Sequence, residues 1–153
     1  MNVFAVLDNR LLIATLTAWF LAGVLKVPIE YLRSKEWNWA LIFSTGGMPS
    51  THTAVVSAVS LGTGLWVGFD SPLFAVCIVL TMVVVYDATG IRRQAGRHAA
   101  LLNAILDEVA RGHTLKQQQE EQLKEILGHT WIEALVGIAW GSVIVFLFWF
   151  YWK

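Results

Sequence analysis

Charge is what this chain has least of. Asp, Glu, Lys and Arg make up 14% of its 153 residues and cancel to a formal net charge of zero. That balance offers no polyanion-binding surface, so no nucleic-acid partner is expected. Cysteine is nearly absent: Cys77 stands alone within an apolar run, which excludes an internal disulfide and a cysteine-built metal cluster. The four histidines show no HExxH or comparable ligand spacing, so no metal is expected, and nothing in the chain asks for another cofactor. A clear small-residue cleavage site is also missing between the first apolar stretch and Lys26-Val27-Pro28, which reads as a retained anchor rather than a signal peptide.

What the chain has instead is apolar length. Hydrophobic residues make up 56% of it, and of its eight tryptophans Trp19, Trp37, Trp39, Trp131, Trp149 and Trp152 lie near the ends of apolar runs, where the bilayer interface favours them. The expected fold is all-α: a single domain, 1–153, forming an integral-membrane helical bundle of about four transmembrane helices. The candidate spans are 11–25, 53–69, 73–86 and 131–152, and residues 26–45 read as a connection. The polar segment 87–128 places Ala99, Leu102, Ile105, Leu106 and Val109 at helical spacing, so an amphipathic helix is expected on one face of the bundle. A second helix is expected over 115–127, with Gln117 to Glu121 as its solvated face.

Three polar stretches could carry chemistry. In Gly46-Gly47-Met48-Pro49-Ser50-Thr51-His52, the glycines allow close backbone approach, Pro49 can begin a helix, and Ser50, Thr51 and His52 supply donors at its start. Together these are the parts of an anion site, although a plain turn with an interfacial histidine would account for the stretch taken alone. In Gly128-His129-Thr130-Trp131-Ile132-Glu133, the four-residue spacing puts His129 and Glu133 on one helical face, so the carboxylate can orient the imidazole. Asp87-Ala88-Thr89-Gly90-Ile91-Arg92-Arg93 sets two guanidinium groups just past the third span, able to grip phosphate oxygens. Asp87 either positions those arginines or is a helix-end carboxylate in water. His98 and His113 read as surface residues.

These stretches, in this order, resemble the type-2 phosphatidic acid phosphatase and vanadium haloperoxidase superfamily, and specifically its small divergent bacterial and plant branch. Lys26 and Arg33 have the spacing of the first superfamily motif, with Ser34 where a proline is usual. Pro49-Ser50-Thr51-His52 is similar to Pro-Ser-Gly-His with Thr for Gly; His129, Glu133 and Gly137 match the second half of the third motif with Glu for Asp. The branch itself looks like a match through GGMPSTHTA, FDSPLFA, YDATGIRRQAG, LLN and LGHTWIEALVG. By this resemblance Lys26, Arg33, Ser50 and either Arg92 or Arg93 would hold phosphate, with Gly47 and Thr51 beside them. His129 would attack phosphorus, Glu133 would orient it and His52 would protonate the leaving group; Asp87, where it positions the arginines, is a supporting residue.

The expected function is therefore a membrane phosphatase acting on a lipid phosphate or related phosphoester through a phosphohistidine, with membrane lipid as its partner. Two other functions fit the sequence: an inactive membrane protein that binds anionic head groups or a protein partner, and a small oligomeric transporter. Homo-oligomerisation is compatible with each. Residues 26–45 and 87–128 hold nine of the eleven Lys and Arg, leaving Arg10 and Lys153. The positive-inside rule thus places both loops and the site on the cytoplasmic face and both termini outside. The expected location is a bacterial plasma membrane.

Overall fold

The computed structural model of the chain describes residues 3–44, 46–112 and 129–152. Among them there is no strand. A 3-10 turn at Val3–Asp8 leads into α1 (Arg10–Ser34), and a second at Trp39–Phe43 precedes α2 (Thr51–Val67). Helix α3 (Pro72–Tyr86) passes through one π turn, Asp87–Ile91, into α4 (Arg92–Gly112); α5 is Trp131–Tyr151. This is an all-helical membrane bundle.

The helices begin where short polar side chains can cap them. Asn9 accepts from the Leu12 N–H at 3.0 Å at the start of α1, and Ser71 accepts from the Phe74 N–H at 3.2 Å at the start of α3, where Pro72 follows. Pro49 was expected to open α2; it precedes the cap instead, and Ser50 is the capping residue, accepting from the Thr53 N–H at 3.3 Å. Residues 26–34 are not a connection, as the charges and Pro28 suggested, but the last turns of α1. The proline forfeits only its own N–H, and the helix continues to Lys35, whose left-handed backbone (φ 61°) ends it. No break occurs at Asp87 either, since α3, the π turn and α4 form one continuous rod.

Packing explains why α2 carries so many small residues. It touches α1, α3 and α5, and Ala54, Ala58 and Thr63 are fully enclosed. A Cβ at Gly141 would collide with the Ala54 carbonyl, so the α5 backbone lies directly on α2. Hydroxyls then bridge the helices: Thr53 Oγ1 donates to Ala134 O at 2.9 Å, Ser57 Oγ to Ile138 O at 3.2 Å and Ser60 Oγ to Cys77 O at 2.9 Å. In hydrocarbon, close approach and satisfied hydroxyls do the work that apolar burial does in water. Apolar side chains such as Val76, Val79, Leu80, Val83, Leu135 and Phe146 are left on the outside, as a lipid-facing surface requires.

Among the described residues three stretches are long and apolar enough to cross a membrane: Arg10–Ser34, Pro72–Leu106 and Trp131–Tyr151. Helix α2 has 17 residues and runs the length of the same bundle. At one end Arg10 donates to Trp152 O at 2.8 Å, joining the start of α1 to the end of α5, and the α2–α3 turn follows Val67. The other end gathers the later turns of α1, the start of α2, the π turn and the start of α5. On α4, Ala99 and Asn103 are buried, while Leu102, Ile105 and Leu106 of the anticipated apolar face are exposed. The expected helix at 115–127, with Gln117 to Glu121, and His113 lie outside the described residues.

Candidate functional site

The second end of the bundle brings together residues from four elements. Helix α5 opens with a capping box: Thr130 Oγ1 accepts from the Glu133 N–H at 3.3 Å, and Glu133 Oε2 accepts from the Thr130 N–H at 3.1 Å. Glu133 Oε2 also lies 3.2 Å from His129 Nδ1. A carboxylate can only accept, so Nδ1 carries the proton and Nε2 presents its lone pair. His129 is 2% exposed, and its Nε2 has no hydrogen-bond partner among the described residues. Burial pushes the His129 pKa below the ordinary histidine value; the hydrogen bond and charge of Glu133 oppose that, and His52 and Lys26 add to it. The ring is accordingly neutral near pH 7.

A backbone contact fixes where His129 stands. Its N–H donates to Ala88 O at 2.8 Å. That carbonyl is offered by the π turn: the Arg92 N–H reaches back five residues to Asp87 O instead of four to Ala88 O. Nearby, the Ser50 N–H donates to Glu133 O at 3.2 Å, tying the start of α2 to the first turn of α5. A Cβ at Gly137 would collide with Thr53 Oγ1 and the Ser50 carbonyl, so only glycine permits this approach. His52, on the first turn of α2, then faces His129 with ring centroids 6.0 Å apart.

Lys26 and Arg33, seven residues apart, lie two turns from each other along α1 and line one cavity of about 680 Å³ with Glu30, Gly47, Thr130 and Glu133. Lys26 is only 1% exposed, and its Nζ donates to Ser44 O at 2.7 Å. Gly47 takes φ +85°, a conformation open to glycine, beside the Lys26 stem. Ser50 and Thr51 are buried, and the Ser50 hydroxyl is engaged as the α2 cap. Arg92 pairs with Asp87, and the charges of Arg92, Lys26 and Asp87 all act on His52. Arg93 is partly buried and His98 exposed. Among the described residues no group of three or more His, Cys, Asp or Glu side chains is arranged to hold a metal.

Three parts of this arrangement went unread in the sequence. Thr130-x-x-Glu133 is a capping-box pattern and could have been recognised. Glu30 enters the cavity because it is four residues after Lys26 on a helix that the sequence reading had ended too early. The Ala88 carbonyl carries no side-chain signal at all.

The sequence model of the Divergent PAP2 family matches residues 7–144, from the start of α1 to within α5 and across every element of the site. The chain belongs to this family. A relative described as the uncharacterized membrane protein YuiD, from Bacillus subtilis (strain 168), is 40% identical over 139 residues, covering 86% of this chain and 88% of that protein. No solved structure matches. Family membership agrees with the resemblance carried by the Lys26, Pro49-Ser50-Thr51-His52 and His129 stretches, and with an integral membrane protein.

Proposed function

We propose that the chain is a metal-independent membrane phosphohydrolase that removes phosphate from a lipid phosphoester through a phosphohistidine on His129. The observation that carries this reading is the state of one ring: His129 is buried and neutral, Nδ1 is held by Glu133, and Nε2 is bare and 6.0 Å, centroid to centroid, from a second imidazole. An imidazole oriented in this way is a competent nucleophile.

In the proposed reaction Nε2 attacks phosphorus, the N–P bond forms and the P–O bond to the leaving alcohol breaks. His52 gives its proton to the departing oxygen. The phosphorylated ring keeps its Nδ1 proton and is cationic, and the Glu133 carboxylate stabilises it. Water activated by His52 then cleaves the N–P bond, releasing inorganic phosphate and restoring both histidines. Lys26, Arg33 and Arg92 supply positive charge to the transferring phosphoryl, with Ser50, Thr51 and Gly47 shaping its cradle. Arg92 takes this role in preference to Arg93 because its charge reaches His52 and Asp87 holds it in place. The site end of the bundle is assigned to the cytoplasmic face of a bacterial plasma membrane.

Phosphate release from a panel of lipid phosphates tests this, comparing detergent-purified wild type with His129→Ala, with chelator and with orthovanadate. The expected result is release that survives chelation, is inhibited by vanadate and is absent from the variant. Equal release by the variant would overturn the histidine mechanism. If both proteins are inert yet bind anionic vesicles, the chain is a head-group-binding protein instead.

A further inference from the structure

Helix α4 leaves the bundle as the continuation of α3. The stretch Pro72–Leu106 is a rod of 35 residues, about 52 Å long at the rise of an α-helix, against a hydrocarbon thickness of about 30 Å. Arg92 and Arg93 mark where it emerges, so Leu101, Leu102, Ile105 and Leu106 stand roughly 13–21 Å further on, in water. All four are between 49% and 63% exposed. Among the described residues α4 packs chiefly on the π turn at its base. Four large aliphatic side chains on a helix that has left the lipid call for a partner.

Their spacing says what kind. Ile91, Ala95, His98, Leu102 and Ile105 are all exposed and follow one another at intervals of four, three, four and three, the heptad spacing of a seam between two helices. Leu101 and Leu106 border that seam. Gly96, Ala99 and Asn103 are buried on another side of α4, so the seam is not its inward face. Arg93 and Arg97 fall on the far side, so pairing along the seam brings no basic residues together. At its base lies a hollow of about 510 Å³, lined by Tyr86, Gly90, Ile91, Gln94, Ala95 and His98. The missing side chain of Gly90, where a Cβ would meet nothing within 4 Å, leaves room for the side chains of a facing rod.

A second copy fits this seam by symmetry. Two copies in one bilayer point the same way, and a two-fold axis along the membrane normal sets their rods parallel and in register. That is the geometry a heptad seam uses, and His98, facing its own counterpart across the axis, favours a single register. The area is also sufficient. At roughly 100 Å² of exposed surface for each of the five Leu and Ile side chains and about 150 Å² for Tyr86, the stripe offers on the order of 700 Å² per copy, close to the roughly 800 Å² per partner of a standard interface. Confinement to the same membrane further lowers the entropy lost on pairing.

We infer that the protein is a parallel homodimer held by α4 against α4, with Ile91, Ala95, His98, Leu102 and Ile105 of each copy meeting along the two-fold axis. The inference does not depend on the phosphohydrolase reading and stands whether or not the site is catalytic.

Disulfide trapping in native membranes tests it. Cys77 is the only native cysteine and is buried, so an introduced thiol gives the signal. Side chains meeting across a two-fold axis come within disulfide range, so Leu102→Cys and Ile105→Cys should each yield a covalent dimer under mild oxidation. Ala104→Cys, exposed on the other side of α4, should remain monomeric. Adding Leu102→Lys to Ile105→Cys sets two like charges against each other at the seam and should reduce the trapped dimer roughly tenfold, whereas adding Ala104→Lys should leave it unchanged. Equal trapping at positions 102, 104 and 105 would mean random collision and overturns the pairing. So does an adduct of a mass other than twice the chain, which would put another protein on the seam. Absence of dimer from both seam variants, with their thiols either open to maleimide or shielded within the monomer, overturns it as well.

Discussion

At the scale of single residues, the site depends on Glu133 doing two jobs with one oxygen. Its Oε2 closes the capping box and holds His129 Nδ1. Glu133→Gln keeps an acceptor there but removes the charge that stabilises a cationic ring. The plateau of kcat should fall by on the order of 100-fold or more. The pH profile gives a separate sign. His129 must be neutral to attack, so activity is lost as pH falls through its pKa, which lies below the ordinary value of 6.5. Glu133 raises that pKa, so in Glu133→Gln the acid limb should move to lower pH even as the plateau drops. A limb that moves upward would mean that Glu133 does not hold His129. Gly137→Ala probes the same corner by volume. Its methyl meets Thr53 Oγ1 and the Ser50 carbonyl, so α5 must retreat from α2, at a cost of about 1–3 kcal/mol read as a lower midpoint in thermal unfolding. Gly90→Ala, with nothing within 4 Å of the new methyl, should leave the midpoint unchanged or higher. Residues of this kind were legible in the sequence, because a histidine and a carboxylate four apart imply a shared helix face before any fold is known.

At the scale of elements, the legible parts were those with periodicity and the illegible parts those made by backbone. The apolar runs announced α1, α2, α3 and α5, but where α1 ends could not be read, because a proline and three basic residues look the same in a loop and in the last turns of a helix at an interface. The π turn is the deeper case. Nothing in Asp87-Ala88-Thr89-Gly90-Ile91 declares that the Arg92 N–H will bypass Ala88 O, yet that bypass frees the acceptor that His129 uses. A π turn is one extra residue in an α-helix, so deleting Gly90 should close it. The ladder would then reclaim Ala88 O, the His129 N–H would lose its partner, and kcat should fall by about tenfold or more with helicity by circular dichroism retained. Deleting Ala100 in α4 supplies the control: it shortens the rod by one residue as the Gly90 deletion does, turns the remainder of α4 by about 100°, and spares the π turn. Equal losses in both deletions would assign the effect to α4, and a loss confined to the Gly90 deletion would assign it to the placement of His129.

At the scale of the whole molecule, the two ends of the bundle differ in charge as well as in chemistry. Lys26, Arg33, Lys35, Arg92, Arg93 and Arg97 belong to the site end, while Arg10 is tied to Trp152 at the other. Basic residues flanking spans stay in the cytoplasm, so the proposed orientation puts the end with the candidate site inside and both termini outside. The same arrangement requires α2, 17 residues long and about 25 Å in rise, to cross beside its longer neighbours. That is short of the roughly 30 Å hydrocarbon thickness, and α2 is protected from lipid on three sides by α1, α3 and α5. If α2 crosses, the number of crossings is even and both termini share a side; if it does not, they lie on opposite sides. An alkaline phosphatase reporter joined after Lys153 should therefore be active in intact cells, and one joined before Met1, behind its own export signal, should be active as well. Ethyl phosphate supplied to sealed right-side-out vesicles should remain intact until they are permeabilised, because in the proposed orientation the end bearing His52 and His129 faces inward. Hydrolysis by sealed vesicles would invert the assignment and place the charged cavity, with Lys26 and Arg33, on the outer surface, against the distribution of basic residues along the chain.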